Sequence, residues 1–207
     1  MPRTIEITAY KFDELSETAK QKAIERMRET EFHQSGEYFS TVKKALDEMF
    51  GLRLTDWSID FDNINRSDWS INFDRMEDYH LEMTGLRLHK WLTNNLWHVF
   101  FERKHWGEYT KNEVTGKWRH KYYSKIQKVE SFCPFTGIMM DESFLDVFRD
   151  FLKKPSEDYT LQELIETAVH NTFKAACDEW EYLQGDEATI ESIEANEYEF
   201  DEHGNQI

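Results

Sequence analysis

The sequence predicts an α+β fold, a small antiparallel sheet packed against several amphipathic helices. Three observations carry that class. From Thr160 to Gln184 the apolar residues, Leu161 through Leu183, recur at spacings of three and four, as one buried helix face requires. Trp69, Ile71 and Phe73 alternate with Ser70, Asn72 and Asp74, the period of a half-buried strand. Fifteen Phe, nine Tyr and seven Trp in 207 residues supply enough large side chains for one substantial core, and argue against disorder.

In chain order, Thr4 to Phe12 is expected to form the first strand, with Ile5, Ile7 and Ala9 on one face. A helix follows Leu15, capped by Ser16 and buried through Ala19, Ala23, Ile24 and Met27. A second helix covers Tyr38 to Phe50, with Phe39, Val42, Ala45, Leu46, Met49 and Phe50 inward and Gly51 placed to end it. Leu52, Leu54, Trp57, Ile59 and Phe61 then suggest a strand with a bulge or bend. Trp57–Phe61 would pair with Trp69–Phe73 across the polar turn Asn63 to Asp68.

Leu81 to Glu102 has helical spacing on a broad face, weakened near Gly85. Tyr109 to Asn112 and Lys117 to Val129 are expected to be strands around Thr115-Gly116, a basic aromatic hairpin at about 105–129. Cys133-Pro134-Phe135-Thr136-Gly137 is a tight connector. The helix after it starts near Asp141, with Phe144, Leu145, Phe148, Phe151 and Leu152 inward. Thr160 and Glu163 form a capping box at the head of the long helix, and Gly185 ends it. Glu187 to Ala195 is a short helix, after which Tyr198 and Phe200 return to a sheet edge. No Ser/Gly/Pro-rich linker interrupts the chain, so residues 1–207 are expected to form a single compact domain.

Two cysteines, Cys133 and Cys177, are too few for a disulfide framework, and both are expected to pack structurally. Met1 to Ala9 lacks a signal-peptide hydrophobic region and no apolar run approaches membrane-spanning length, so the expected location is the cytoplasm, without membrane association. The formal net charge is −16, which opposes unaided, non-specific binding to nucleic acid. Charge is also unevenly spread. Asp178 to Glu202 holds eleven acids and no lysine or arginine, while Arg103 to Lys128 holds eight lysines and arginines and only Glu108 and Glu113 as acids.

These two regions are the candidate binding faces. Asp186, Glu187, Glu191, Glu194, Glu197 and Glu199 would meet lysines or arginines of a partner protein. Lys117, Trp118, Arg119, Lys121, Tyr122, Tyr123 and Lys125 combine phosphate-binding cations with rings that stack on bases. The bland alternatives are solvated acids and a hairpin whose alternate residues simply pack and project. Enzymatic readings are thinner. Asp60, Asp62 and Asp74 could hold magnesium, with Asp60 and Asp62 on one side of a regular strand. His98, Glu102 and His105 offer two histidines and a carboxylate on a continuous helix, but the His-Glu-x-x-His order is absent. Cys133 with His170 as base is the remaining nucleophile pairing. No phosphate-cradling glycine loop is present, and no cofactor is expected.

Three stretches together carry a resemblance. They are Tyr10-Lys11-Phe12-Asp13-Glu14-Leu15-Ser16 with Ala19-Lys20 and Ala23, the Cys133–Gly137 connector with its acidic helix start, and Glu194–Gly204. In this order they resemble uncharacterised accessory proteins of tailed bacteriophages and prophages. The resemblance implies a setting, the host cytoplasm, in which some small acidic proteins inhibit CRISPR or restriction systems. It implies no catalytic residues. The expected function is therefore a non-enzymatic protein that binds and occludes a host protein or ribonucleoprotein effector. A small metal-dependent enzyme and a nucleic-acid-binding protein are the alternatives, and a homodimer would let opposite patches meet on neighbouring subunits.

Overall fold

The computed structural model describes residues 8–28, 32–113, 115–128, 133–137 and 140–207; within 102–108 and 121–128 it describes the backbone alone. The class is α+β, as expected, with the strands in separate two-stranded antiparallel pairs. β1 (Tyr10–Lys11) pairs with β6 (Glu199–Phe200), β2 (Arg53–Ser58) with β3 (Asp68–Asn72), and β4 (Phe101–Lys111) with β5 (Trp118–Lys128). Contacts group the chain into two compact units, one drawn from 1–36, 58–68 and 173–207, the other from 37–57 and 69–172.

In the first unit, β1 leads through a tight turn at Phe12–Glu14 into α1 (Glu17–Met27). Ser16 caps α1 by accepting the Ala19 N–H at 3.3 Å, as its sequence position predicts. Of the expected Thr4–Phe12 strand, Tyr10–Lys11 is observed, and residues 4–7 lie outside the described residues. α8 (Asp186–Ala195) packs against α1, and Leu15, Ala19, Ala23, Ile193 and Phe200 close a small core between them. Tyr10 stands opposite Phe200, and Lys11 opposite Glu199.

The chain end is fastened onto this core. Asp201 accepts the N–H groups of His203 and Asn205, each at 2.9 Å, and the Asn205 side-chain amide at 2.7 Å. These hydrogen bonds, those from Asn205 foremost, hold the Asp201 carboxyl below its ordinary range. Gly204 has φ +79°, and a Cβ there would sit 2.3 Å from the Ala19 carbonyl oxygen. Glycine is required at that position both by its left-handed backbone and by its approach to α1.

The same unit contains the 58–68 segment and the second half of α7 (Leu161–Leu183). Here the sequence expectation fails locally. Ile59–Phe61 is not strand, because Asp60 bends the chain by accepting the N–H groups of Asp62 and Asn63 at 3.1 and 3.2 Å. The turn is tied to α7, where the Trp180 indole donates to Asp62 Oδ1 at 3.0 Å and Phe32 packs edge-to-face on Phe61 and tilted against Trp180.

In the second unit, α2 (Ser35–Ala45) runs into a wider turn at Leu46–Phe50, closed by Gly51 at φ +67°. Its buried stripe takes in Tyr38 and Thr41, whereas Phe39 is half-buried and stacks on Trp57. β2 buries Leu54, while Trp57 stays 39% exposed under the Lys43 ammonium, 4.0 Å from the ring centre. The expected Leu81–Glu102 helix is broken into α3 (Asp78–Leu81), α4 (Gly85–Asn95) and α5 (Trp97–Phe100). Its last residues are strand, because Phe101 and Glu102 pair with Lys128 and Gln127.

α6 (Met140–Lys153) supplies the centre of this unit's core. Phe144, Leu145 and Phe148 are fully buried, and Phe148 meets Phe50, Phe144 and Phe100. The first turn of α7 carries the anticipated capping box: Glu163 accepts the Thr160 N–H at 2.8 Å, and Thr160 Oγ1 accepts the Glu163 N–H at 3.2 Å. Those bonds to Thr160 hold the Glu163 carboxyl below its ordinary range.

Asp141 has a role that its place at a helix start does not show. An acid in the first turn of a helix is ordinarily a solvated partner of the helix dipole. Asp141 is instead fully buried. It accepts the Phe135 and Thr136 N–H groups at 2.8 and 2.9 Å and the Thr41 and Thr136 hydroxyls at 2.9 and 2.6 Å. Four donors replace water around one carboxylate and fix the Phe135-Thr136 connector between α2 and α6.

Candidate functional site

The acidic face is built on α8 and β6. All six anticipated carboxylates are on exposed residues. They do not form one uniform patch. Asp186 and Glu187 lie in the first turn of α8, where the helix dipole favours anions, and Asp186 pairs with Arg28 at 2.5 Å. Glu191 accepts the Tyr182 hydroxyl at 2.9 Å, which raises the Tyr182 pKa. Glu194, Glu197 and Glu199 gather at the opposite end, where α8 passes into β6.

That end breaks two local rules. Tyr198 N–H bonds to the Ile193 carbonyl at 3.2 Å and Glu197 N–H to the Glu194 carbonyl at 3.1 Å, the paired closure that ordinarily places glycine in the left-handed position. Here that position is Glu197, at φ +52°. Glu194 and Glu197 also sit at the negative end of the dipole, with no basic residue in the last turn of α8. Among the described residues, Glu187, Glu194, Glu197 and Glu199 make no ion pair.

A shallow groove of about 280 Å³ opens beside them. Phe12, Ile193 and Tyr198 give it an apolar floor, and Asp13, Glu194, Glu197 and Lys11 supply its charged rim. An apolar floor with carboxylates at the edge suits the aliphatic stem and cationic head of an arginine or lysine.

The second anticipated face is the β4–β5 hairpin. It is longer than its sequence pattern suggested, 11 residues per strand, and starts at Phe101 instead of near 105. Gly116, at φ +66°, turns the chain, and the Asn112 side chain accepts the Thr115 N–H at 2.8 Å. Lys117, Trp118 and Arg119 are exposed near this turn. Lys121, Tyr122, Tyr123 and Lys125 stand opposite Glu108, Gly107, Trp106 and Lys104 in the register; their side chains lie outside the described residues.

The enzymatic alternatives come apart. Asp60 and Asp62 belong to a bend, not to a regular strand, and Asp62 is taken by the Trp180 indole. Asp74 closes its own local turn with Asn72, through bonds of 2.9 and 3.1 Å. His98 lies in α5 and Glu102 and His105 in β4, so the continuous helix face they needed does not form. The side chains of Glu102 and His105 lie outside the described residues, and among the described residues no group of three His, Cys, Asp or Glu side chains is placed to hold a metal ion.

Cys133 has its thiol pKa pushed up by burial and then by Asp141 and Glu142, the reverse of what activates a nucleophile. Its anticipated base, His170, packs its ring against Trp69, tilted, with centres 5.7 Å apart. Cys177 is buried in α7 with its thiol also pushed up, first by burial.

The fold and these two faces define an α+β chain whose candidate sites are exposed charged surfaces. Among the described residues no helix is long and apolar enough to cross a membrane. Comparison with models of known families, with curated proteins and with solved structures finds no match to this chain.

Proposed function

We propose that this chain is a non-enzymatic binding protein that occupies a cationic surface of a host factor, with the α8–β6 end as its contact face. The observation that carries this reading is Glu197. An exposed carboxylate occupies a left-handed position suited to glycine, at the wrong end of a helix dipole, without an ion-pair partner among the described residues. Energetically disfavoured residue choices of this kind concentrate at contact sites. In a complex, an arginine or lysine of the partner would lay its stem on Phe12, Ile193 and Tyr198 and place its charge between Glu194 and Glu197. Occlusion of the partner's own anionic ligand follows without bond-making chemistry.

The setting implied by the sequence resemblance, a phage accessory protein acting on a CRISPR or restriction effector, is part of the proposal. The test is retention of host proteins from lysate by the immobilised chain, quantified by mass spectrometry against a Glu194→Lys/Glu197→Lys variant. The expected result is a host protein captured by the native chain and lost from the variant. A variant that keeps the same partner at the same yield sinks the assignment of this face.

A further inference from the structure

The distal end of the β4–β5 ribbon carries a feature that the acidic face does not explain. Tyr109 is 70% exposed and Trp118 is 64% exposed. Register and contacts put both on one face. Tyr109 stands opposite His120 with ring centres 4.2 Å apart, and Lys111 stands opposite Trp118 with its ammonium 6.0 Å from the ring centre. Consecutive same-face rows of a strand are about 7 Å apart, so the two rings form neighbouring platforms. Lys117 and Arg119, the sequence neighbours of Trp118, are exposed too, and strand alternation turns them towards the other face of the ribbon. Among the described residues neither pairs with a carboxylate, and the ribbon has no third strand.

We propose that this ribbon tip binds single-stranded nucleic acid, stacking bases on Trp118 and Tyr109, holding phosphate with Lys111 on the same face, and reaching further phosphates round the ribbon's edge with the long side chains of Lys117 and Arg119. The occupant follows from two complementarities. Cations call for a polyanion, and paired exposed rings call for planar groups, which a phosphate chain with unpaired bases supplies together and an acidic protein does not. The net charge of the whole chain does not forbid it. Residues 103–128 carry eight lysines and arginines and two acids, a local charge of +6, while the rest of the chain carries −22. At physiological salt charges are screened beyond about 8 Å, so the ribbon's own +6 weighs most on a strand lying against it. This inference stands independently of the carboxylate face, which lies on other elements.

The experiment is fluorescence anisotropy of labelled oligothymidylate titrated with the full chain, alongside a duplex of equal length and polyglutamate. The oligothymidylate should bind best, with affinity falling about two powers of ten per tenfold rise in salt for three phosphate contacts. Trp118→Ala and Tyr109→Ala should each weaken it about fivefold or more, and Trp118→Phe, which keeps a ring, should retain most of the affinity. Because these side chains are exposed, melting temperatures should not move. Absence of binding, unchanged affinity in Trp118→Ala, or loss in Trp118→Phe equal to that in Trp118→Ala would each overturn the proposal. Tighter binding of the duplex or of polyglutamate would also overturn it, by assigning the tip to helical DNA or to an acidic protein surface.

Discussion

Replacing Glu197 by glycine should make this protein more stable and a poorer binder at once. A side-chain-bearing residue in the left-handed region costs about 1–2 kcal/mol. Glycine removes that cost but loses about 0.5–1 kcal/mol in chain entropy. Deleting an anion from the C-terminal end of α8 returns a further 0.3–1 kcal/mol, roughly, at low salt. The net gain is about 1 kcal/mol, equivalent to a rise in melting temperature of about 2–4 °C for a chain of this length. Glu197→Gln separates the terms, because it removes the charge and keeps the backbone strain; its gain should be a few tenths of a kcal/mol, roughly the dipole share. Thermal melts followed by circular dichroism give the stability, and host-protein retention on the immobilised variants gives the binding. A fall in melting temperature for Glu197→Gly would refute the backbone argument. A rise with unchanged retention would refute the claim that the strain is kept for contact.

Three further outcomes follow from the packing. Gly204→Ala must place a methyl 2.3 Å from the Ala19 carbonyl oxygen at φ +79°, and should destabilise the protein by about 2–4 kcal/mol, visible as a lower urea midpoint. Asp141→Ala strips four donors of a buried acceptor and should destabilise by about 3 kcal/mol, with the urea midpoint again as readout. Glu163 and Asp201 have folded pKa values below their unfolded ones, so their stabilising contribution is complete above the unfolded carboxyl range near about pH 4 and is lost as pH falls through the folded values. Urea midpoints measured from pH 7 down to pH 3 should decline less steeply in Glu163→Gln and Asp201→Asn than in the native chain.

What could be read from the sequence was what local chemistry decides. Ser16, the Thr160–Glu163 box and Gly51 act as caps at the anticipated places because a cap needs just its own turn. The face of α7 was legible because period alone fixes it. The failures share a different cause. Leu88 to Phe100 keeps helical spacing to the end of α5, yet Phe101 leaves for a strand whose partner, Lys128, is 27 residues away. Pairing at that separation leaves no mark in a short window. Asp141 could be read as a helix start but not as a buried acceptor, because Thr41, which closes its set of donors, lies 100 residues away, and the Phe135 and Thr136 N–H groups reach it only through the fold of the connector. In the candidate faces, residue types and charge were readable, but the left-handed backbone of Glu197 and the shared face of Tyr109 and Trp118 were not, since each depends on a closure or a register.

The three stretches behind the phage resemblance can now be given physical roles. The first and third meet: Tyr10 pairs with Phe200, and Gly204 lies against the backbone of Ala19. The second is the connector fastened by Asp141. In each, most residue choices serve the fold, since a buried ring, a cap, a glycine turn and a satisfied carboxylate are all locally favourable. Glu197 differs, because its left-handed backbone and its place on the helix dipole each disfavour glutamate. Trp118 and Tyr109 differ in the same sense, as large rings left in water on a ribbon without a third strand among the described residues. Stability alone would have selected glycine at the first position and smaller polar residues at the other two. The binding reading rests on these departures, and it places the two contact chemistries, carboxylate and cation with ring, on separate elements of the chain.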